Sequence, residues 1–255
     1  FIENGRGVFN TPYTHQLNGL LSFFGVRGEP KDLVVMTGTG SGKTEIFFWS
    51  ILGHLSQEFS RTGDTGQRGI RTLIMYPMNA LVSDQLGRMR SVMGLQSPLN
   101  NTGGSEILAR HFGRTAQFMQ YTSRAPYHGP HDDIRNESRL SPLFQGWNNL
   151  ENAYNADPNS REGLLYQDLR RKGRIPEKDL QGFMDNNYWT SEDDPELFAR
   201  HEARDVNPDN TEGGVPDLLV TNYAMLEFML LRPIEDPFWD ETRTWLHQHE
   251  DNQLL

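Results

Sequence analysis

The chain has 255 residues, no cysteine and a formal net charge of −10. That length can bury a substantial core in one large or two small domains, and the missing cysteines exclude a disulfide framework and any thiolate metal site. No apolar run approaches the roughly 20 residues of a membrane span, and the opening "FIENGRGVFN" lacks the pattern of a secretory signal, so a cytoplasmic setting with no membrane partner is expected.

Acidity overall argues against a nucleic-acid partner, but the charge is uneven. Residues 1–123 carry 11 basic and 8 acidic groups, residues 124–215 carry 11 and 18, and residues 216–255 carry 2 and 8. A local basic track therefore remains open in the first segment.

In chain order, "TPYTHQLNGLLSFFG" predicts a helix of about three turns, with Thr11 as cap, Pro12 at the first helical position and Gly25 as stop. "DLVVM", residues 32–36, predicts a buried parallel strand. A helical pattern follows from Lys43 to about Phe59. "SRTGDTGQRG" is a surface loop, "IRTLIMYP" a second strand ended by Pro77, and "NALVSDQLGRMRSVM" a helix. "SEILARHF" predicts a third strand, "PDLLVTN" a fourth, and "YAMLEFMLL" a final helix. The alternation predicts an α/β fold with a doubly wound parallel sheet.

Residues 124–215 interrupt that rhythm. They are rich in Pro, Asn, Asp and Gly, with helical pieces such as "REGLLYQDLRRKG" and "PEKDLQGFM". They predict a large acidic insertion between the third and fourth strands, folded in part, because a structureless loop of that length is improbable in a compact domain.

"TGTGSGKTE", residues 37–45, stands between the first strand and the helix that follows. The phosphate-loop pattern wants Gly, four residues, then Gly-Lys-Ser/Thr; here Gly42, Lys43 and Thr44 match while Thr37 replaces the first Gly. Gly38, Gly40 and Gly42 still allow the backbone to curl so that N–H groups converge on phosphate oxygens, helped by the start of the helix near Lys43. The whole run Thr37, Gly38, Thr39, Gly40, Ser41, Gly42, Lys43, Thr44 and Glu45 is thus a candidate ATP cradle. Lys43 would neutralise the β- and γ-phosphates and Thr44 would take one coordination position on Mg²⁺.

Four further stretches, "TPYTHQ", "YPMNALVSDQ", "RHFGRT" and "VTNYAMLE", occur in the order of the motifs of superfamily 2 helicases. With the phosphate loop they resemble the first RecA-like domain of a DEAD/DEAH-box helicase. The wording of "YPMNALVSDQ" and "VTNYAMLEFMLLRP" is most similar to the YprA/MrfA-like clade, which includes large antiphage-defence helicases of the Druantia and DISARM systems. The resemblance covers most of residues 9–123 and 215–245 but not the insertion.

The resemblance implies particular roles. Gln16 would read the adenine edge, with Tyr13 near the ring. Pro77 and Asn79, Arg114 and Thr115, and Thr221 and Asn222 would contact the nucleic-acid backbone, Asn79 also capping its helix. DNA, single-stranded or duplex, is the expected track, with RNA the lesser expectation. The expected partners are a second RecA-like domain of the same polypeptide and a defence-system protein.

The Asp-Glu-x-His box of the family is missing from the chain, and "DNQLL" reads as the threshold of the strand that would precede it. A piece of a longer polypeptide is therefore expected, one that does not hydrolyse ATP by itself. A nucleotide-gated interaction module, docking partners through the acidic insertion, is the rival expectation. "HGPHDD", residues 128–133, offers metal-ligand types without rigid spacing, and "LRRKGRIPEK" reads as a solvated basic face.

Overall fold

The computed structural model describes residues 2–3, 6–7, 12–26, 28–30, 32–36, 38, 40–62, 67–77, 79–93, 104–123, 134–175, 196–197 and 215–255. At the start, strands β1 (Ile2–Glu3) and β2 (Arg6–Gly7) pair antiparallel. Helix α1 spans Thr14–Phe23. Its cap is Tyr13, in extended conformation, rather than Thr11, which lies outside the described residues. The Tyr13 N–H donates to Gln16 Oε1 at 2.7 Å, and Gly25 stops the helix with a left-handed φ of 64°.

Helix α2 (Lys43–Thr62) carries one apolar stripe of Ile46, Phe48, Ile51, Leu52, Leu55 and Phe59, all buried. Strand β3 (Thr72–Tyr76) ends before Pro77, and helix α3 (Asn79–Met93) follows as the apolar spacing predicts. Asn79, expected as the cap, is instead the first helical residue.

"SEILARHF" is not a strand. Gly104–Phe112 form helix α4, because Ile107 and Leu108 bury together while Phe112, one turn on, packs on the same core. The third strand is "FMQY", β4 (Phe118–Tyr121), short and buried almost throughout. Next come two helices of the interrupting region, α5 (Ile134–Ala156) and α6 (Arg161–Arg171), which pack on each other. The helix α6 was legible in "REGLLYQDLRRKG", with Ser160 Oγ accepting from the Gly163 N–H at its start; the longer α5, with Pro142 inside it, was not. "PEKDLQGFM" lies outside the described residues.

Strands β5 (Glu196–Leu197) and β6 (Leu218–Asn222) complete a four-stranded sheet in the order β3-β6-β4-β5, with every pairing parallel. β6 is central and buried along its length, and its side chains alternate between two cores. Leu218 and Val220 join Phe118, Leu55, Val82 and Met89 on the side of α2, α3 and α4. Leu219 joins Met119, Tyr121, Met229 and Phe238 on the side of helices α7 (Tyr223–Leu231) and α8 (Asp236–Gln248). Helices on both faces of a parallel sheet are the expected α/β arrangement.

"DLVVM" departs from expectation. Residues 32–36 make no strand pairing among the described residues, and Val34 and Met36 are 88% and 87% exposed. A buried strand needs a hydrogen-bonded neighbour, and the outer edge of β3 bonds elsewhere: the Leu255 N–H donates to Arg71 O at 2.8 Å, and the Leu73 N–H donates to Leu255 O at 2.9 Å. Leu255 of "DNQLL" thus meets that edge with the bonding pattern of a parallel neighbour.

The interrupting region is clamped to α3. Gly87 faces Gly173 so closely that a Cβ on Gly173 would stand 2.1 Å from Gly87 O. Arg90, buried, holds Glu196 with two donors at 2.6 and 2.8 Å and Gly173 O with a third at 2.8 Å. Among the described residues no helix is long and apolar enough to cross a membrane.

Candidate nucleotide and nucleic-acid site

The nucleotide loop is built against α1. Gly40 and Gly42 have φ of 76° and 75°, which L side chains rarely adopt, and they turn the chain into the first turn of α2. A Cβ on Gly42 would stand 2.4 Å from Gln16 Nε2, which donates to Gly42 O at 2.8 Å. Gln16 is 4% exposed, so its amide is a fixed strut between α1 and the loop. His15 Nε2 lies 2.9 Å from Ser41 O, and the exposed Tyr13 ring stacks on His15, 5.8 Å between centroids and 9° between planes.

Lys43 Nζ donates to Gly38 O at 2.6 Å, which places the ammonium over the loop. Gly38 and Gly40 have open space where a Cβ would stand. The donors, the helix start and that open space fit a polyphosphate. Thr44 follows, half-buried in the first turn. Glu45 Oε1 accepts from Arg88 of α3 at 2.9 Å, while its Oε2, beside Gly42, is buried without a partner among the described residues. Thr37 and Thr39 lie outside the described residues.

The parallel strands put two different clusters at the two ends of the sheet. At the C-terminal ends, Asn222 Nδ2 donates to Asn79 Oδ1 at 2.6 Å, and Asn79 Nδ2 donates to Ser123 Oγ at 3.0 Å. Asn222 Oδ1 accepts from the Met225 N–H at 2.9 Å and caps α7. Pro77 is exposed beside them. The turns after β3, β4 and β6 are thereby tied into one rim, the place where open α/β sheets bind ligands. Thr221, expected to touch a nucleic acid, is fully buried and donates its hydroxyl to Tyr121 O at 2.6 Å, inside the sheet.

Arg114 and Thr115 are at the wrong end for a shared contact with that rim, since they precede β4. Arg114 is 5% exposed, ion-paired with Asp217 and lying over the Phe59 ring at 4.5 Å. Around Asp217 also stand Arg71 at 3.0 Å and Arg68 at 3.9 Å, and Arg71 in turn binds Glu58, which accepts from Trp245 Nε1 at 2.8 Å. Burial alone would raise the Asp217 carboxyl, but Arg114, Arg71, Arg68 and the Gln117 N–H outweigh it and hold it below the usual carboxylate range. This cluster braces β3, β6 and β4 where they begin.

Ser123 was not among the residues singled out from the sequence. It stands in the turn after β4, and that turn becomes visible only when the third strand is placed on "FMQY". "HGPHDD" lies outside the described residues, and among the described residues no three His, Asp or Glu side chains gather to hold a metal ion.

Residues 20–121, which include the cradle, α3 and β4, match the family model for DEAD/DEAH box helicases. Over those residues the chain is similar to DEAD/DEAH box helicases. The chain is also 37% identical over 280 aligned residues to Druantia protein DruE of Escherichia coli (strain UMEA 4076-1). The alignment covers 99% of this chain and 14% of that relative, so the chain spans about one-seventh of the relative's length. No solved structure matches the chain.

Proposed function

We propose that this chain is the ATP-binding lobe of an ATP-dependent DNA helicase or translocase that works in antiphage defence as part of a longer protein. The observation that carries the reading is the cradle itself: Gly40 and Gly42, with left-handed φ and Gly42 braced by Gln16, lead into α2 at Lys43, inside the segment that matches the helicase family. Similarity to Druantia protein DruE supports the defence setting.

In this reading the backbone N–H groups of residues 40–44 and the Lys43 ammonium would hold the β- and γ-phosphates. Lys43 exchanges Gly38 O for a phosphate oxygen. Thr44 would offer its hydroxyl to Mg²⁺, and adenine would meet Tyr13 and Gln16, whose amide is bonded here to the Tyr13 N–H and Gly42 O. Bound ATP with Mg²⁺ supplies the phosphoryl group whose transfer to water drives the motor. Positioning and charge neutralisation are the tasks of the protein groups. The rim of Pro77, Asn79 and Asn222 faces the DNA.

The domain division follows from the same reading. Residues 1–123 and 216–255 form the RecA-like lobe, and residues 124–215 form an acidic insertion that meets the lobe at α3 and through β5. The carboxylates that orient the attacking water, and a second RecA-like domain with its arginine finger, belong to the remainder of the longer protein. The 255 residues alone are then inactive as a hydrolase.

The test is binding of single-stranded DNA by the full-length protein, with and without a non-hydrolysable ATP analogue, across a salt series. Binding that weakens linearly in log affinity against log salt supports the motor. No binding at low salt, with or without nucleotide, would leave a nucleotide-gated interaction module as the better reading.

A further inference from the structure

Tyr223 opens α7 directly after Asn222, at the C-terminal rim of the sheet. Its side chain is 66% exposed and, among the described residues, it makes no hydrogen bond, ion pair or ring contact. Tyr13, the comparably exposed ring at the nucleotide loop, is by contrast already stacked on His15. An aromatic ring left bare at the end of a buried strand loses apolar burial for no structural gain.

The backbone beneath the ring is held firmly. Asn222 caps α7 through the Met225 N–H and reaches Asn79, Asn79 reaches Ser123, and Thr221 Oγ1 bonds Tyr121 O. Asn79, Asn222 and Ser123 therefore hold one another, and the exposed Tyr223 follows Asn222 directly in the chain. The chain's acidity points the same way. In a chain with a net charge of −10, a contact that needs no charge, such as stacking on a base, adds to whatever a local basic track supplies.

We propose that Tyr223 is a stacking platform on which one base of single-stranded DNA lies, with Ser123, Asn79 and Asn222 as positioning residues that fix its helix end. This rests on the nucleic-acid reading of the rim given above. It reassigns Asn79 and Asn222 from backbone contacts to supports and adds a contact that reads the flat face of a base rather than its phosphate.

The experiment measures fluorescence anisotropy of a short mixed-sequence DNA strand, and of the same backbone made abasic, against full-length wild type, Tyr223→Ala and Tyr223→Phe over a salt series. Tyr223→Ala should weaken binding of the normal strand about ten-fold, equivalent to about 1.4 kcal/mol and within the reach of base–aromatic stacking. The salt slope should stay unchanged, because no phosphate contact is lost. Tyr223→Phe should bind like wild type, and the abasic strand should not distinguish the variants.

Wild-type affinity in Tyr223→Ala, an equal loss on the abasic strand, or a shallower salt slope would overturn the proposal while leaving the motor reading standing. Unchanged DNA binding with loss of a protein partner would assign the ring to a protein contact instead and overturn it too. Failure of wild type to bind the normal strand at low salt would remove the nucleic-acid reading and this inference together.

Discussion

Replacing Asp217 with Asn tests whether the buried ionic cluster holds the sheet together. Asp217 is fully buried, with Oδ1 facing Arg114 and Arg71 and Oδ2 accepting from the Gln117 N–H at 2.8 Å. If its charge is removed, Arg71 keeps Glu58, which takes three of its donors' contacts at 2.8 to 3.1 Å. Arg114 does not fare as well: it keeps the Phe59 face and a 3.4 Å contact to Gln67 O, and its Nε has no partner among the described residues. One uncompensated buried cation costs about 3–5 kcal/mol, a large share of a domain's total stability. With a urea slope of roughly 3 kcal/mol per molar at most for small domains, the midpoint should fall by about 1 M or more.

The pH dependence gives a second signature of the same residue. The unfolded carboxyl titrates near about 3.9 and the folded one lower, so the Asp217 contribution is fully present above about pH 4 and is lost as pH falls through the folded value. The Asn variant should therefore show a flatter acid limb. Asp168, half-buried and paired with Arg171 and Lys172 at the surface, is the control, and its Asn variant should unfold with wild type. A loss below about 1 kcal/mol for Asp217→Asn, in the range of surface ion pairs, would refute the argument. Acid limbs parallel to wild type would refute it as well.

Two further changes follow from close backbone approaches. Gly42→Ala would set a Cβ 2.4 Å from Gln16 Nε2 at a φ of 75°, and the resulting strain of about 1–3 kcal/mol should cut affinity for a fluorescent ATP analogue by about ten-fold or more; wild-type affinity would show that the cradle is not braced by Gln16. Gly87→Ala would favour helix by about 1 kcal/mol in isolation, yet its Cβ would lie 2.8 Å from Lys172 O. Amide exchange should accordingly accelerate in α6 and at Gly173, and unchanged protection there would mean that the hairpin does not rest on α3.

The parts of the fold that were legible in the sequence carry a strong local signal. "IRTLIMYP" and "PDLLVTN" are apolar runs with Pro or Asn at their ends, and both became strands. The spacing of Val82, Leu86, Met89 and Met93 placed α3 correctly. "SEILARHF" misled because Ile-Leu is a short apolar pair that suits either element, and only packing beside Phe112 decides for helix. "DLVVM" misled because a strand is made by its neighbour, which a single stretch of sequence does not display.

The site was legible where backbone geometry dictates residue type. Gly40, Gly42 and Lys43 stand as a phosphate loop requires, and Gln16 reaches the same loop. Arg114 shows the limit: an Arg after a Gly reads like a surface contact until tertiary structure brings Asp217 from 103 positions away. Ser123 depends on where β4 ends, so its place on the rim could not be drawn from spacing.

The most direct test of the central claim is ATP hydrolysis by the full-length protein with and without single-stranded DNA, compared between wild type and Lys43→Ala. The cradle reading predicts DNA-stimulated turnover in wild type and its loss in the variant, whose thermal stability should be unchanged because Lys43 contacts the loop's Gly38 carbonyl at the surface rather than the core. Undiminished, DNA-stimulated turnover in Lys43→Ala would contradict the account.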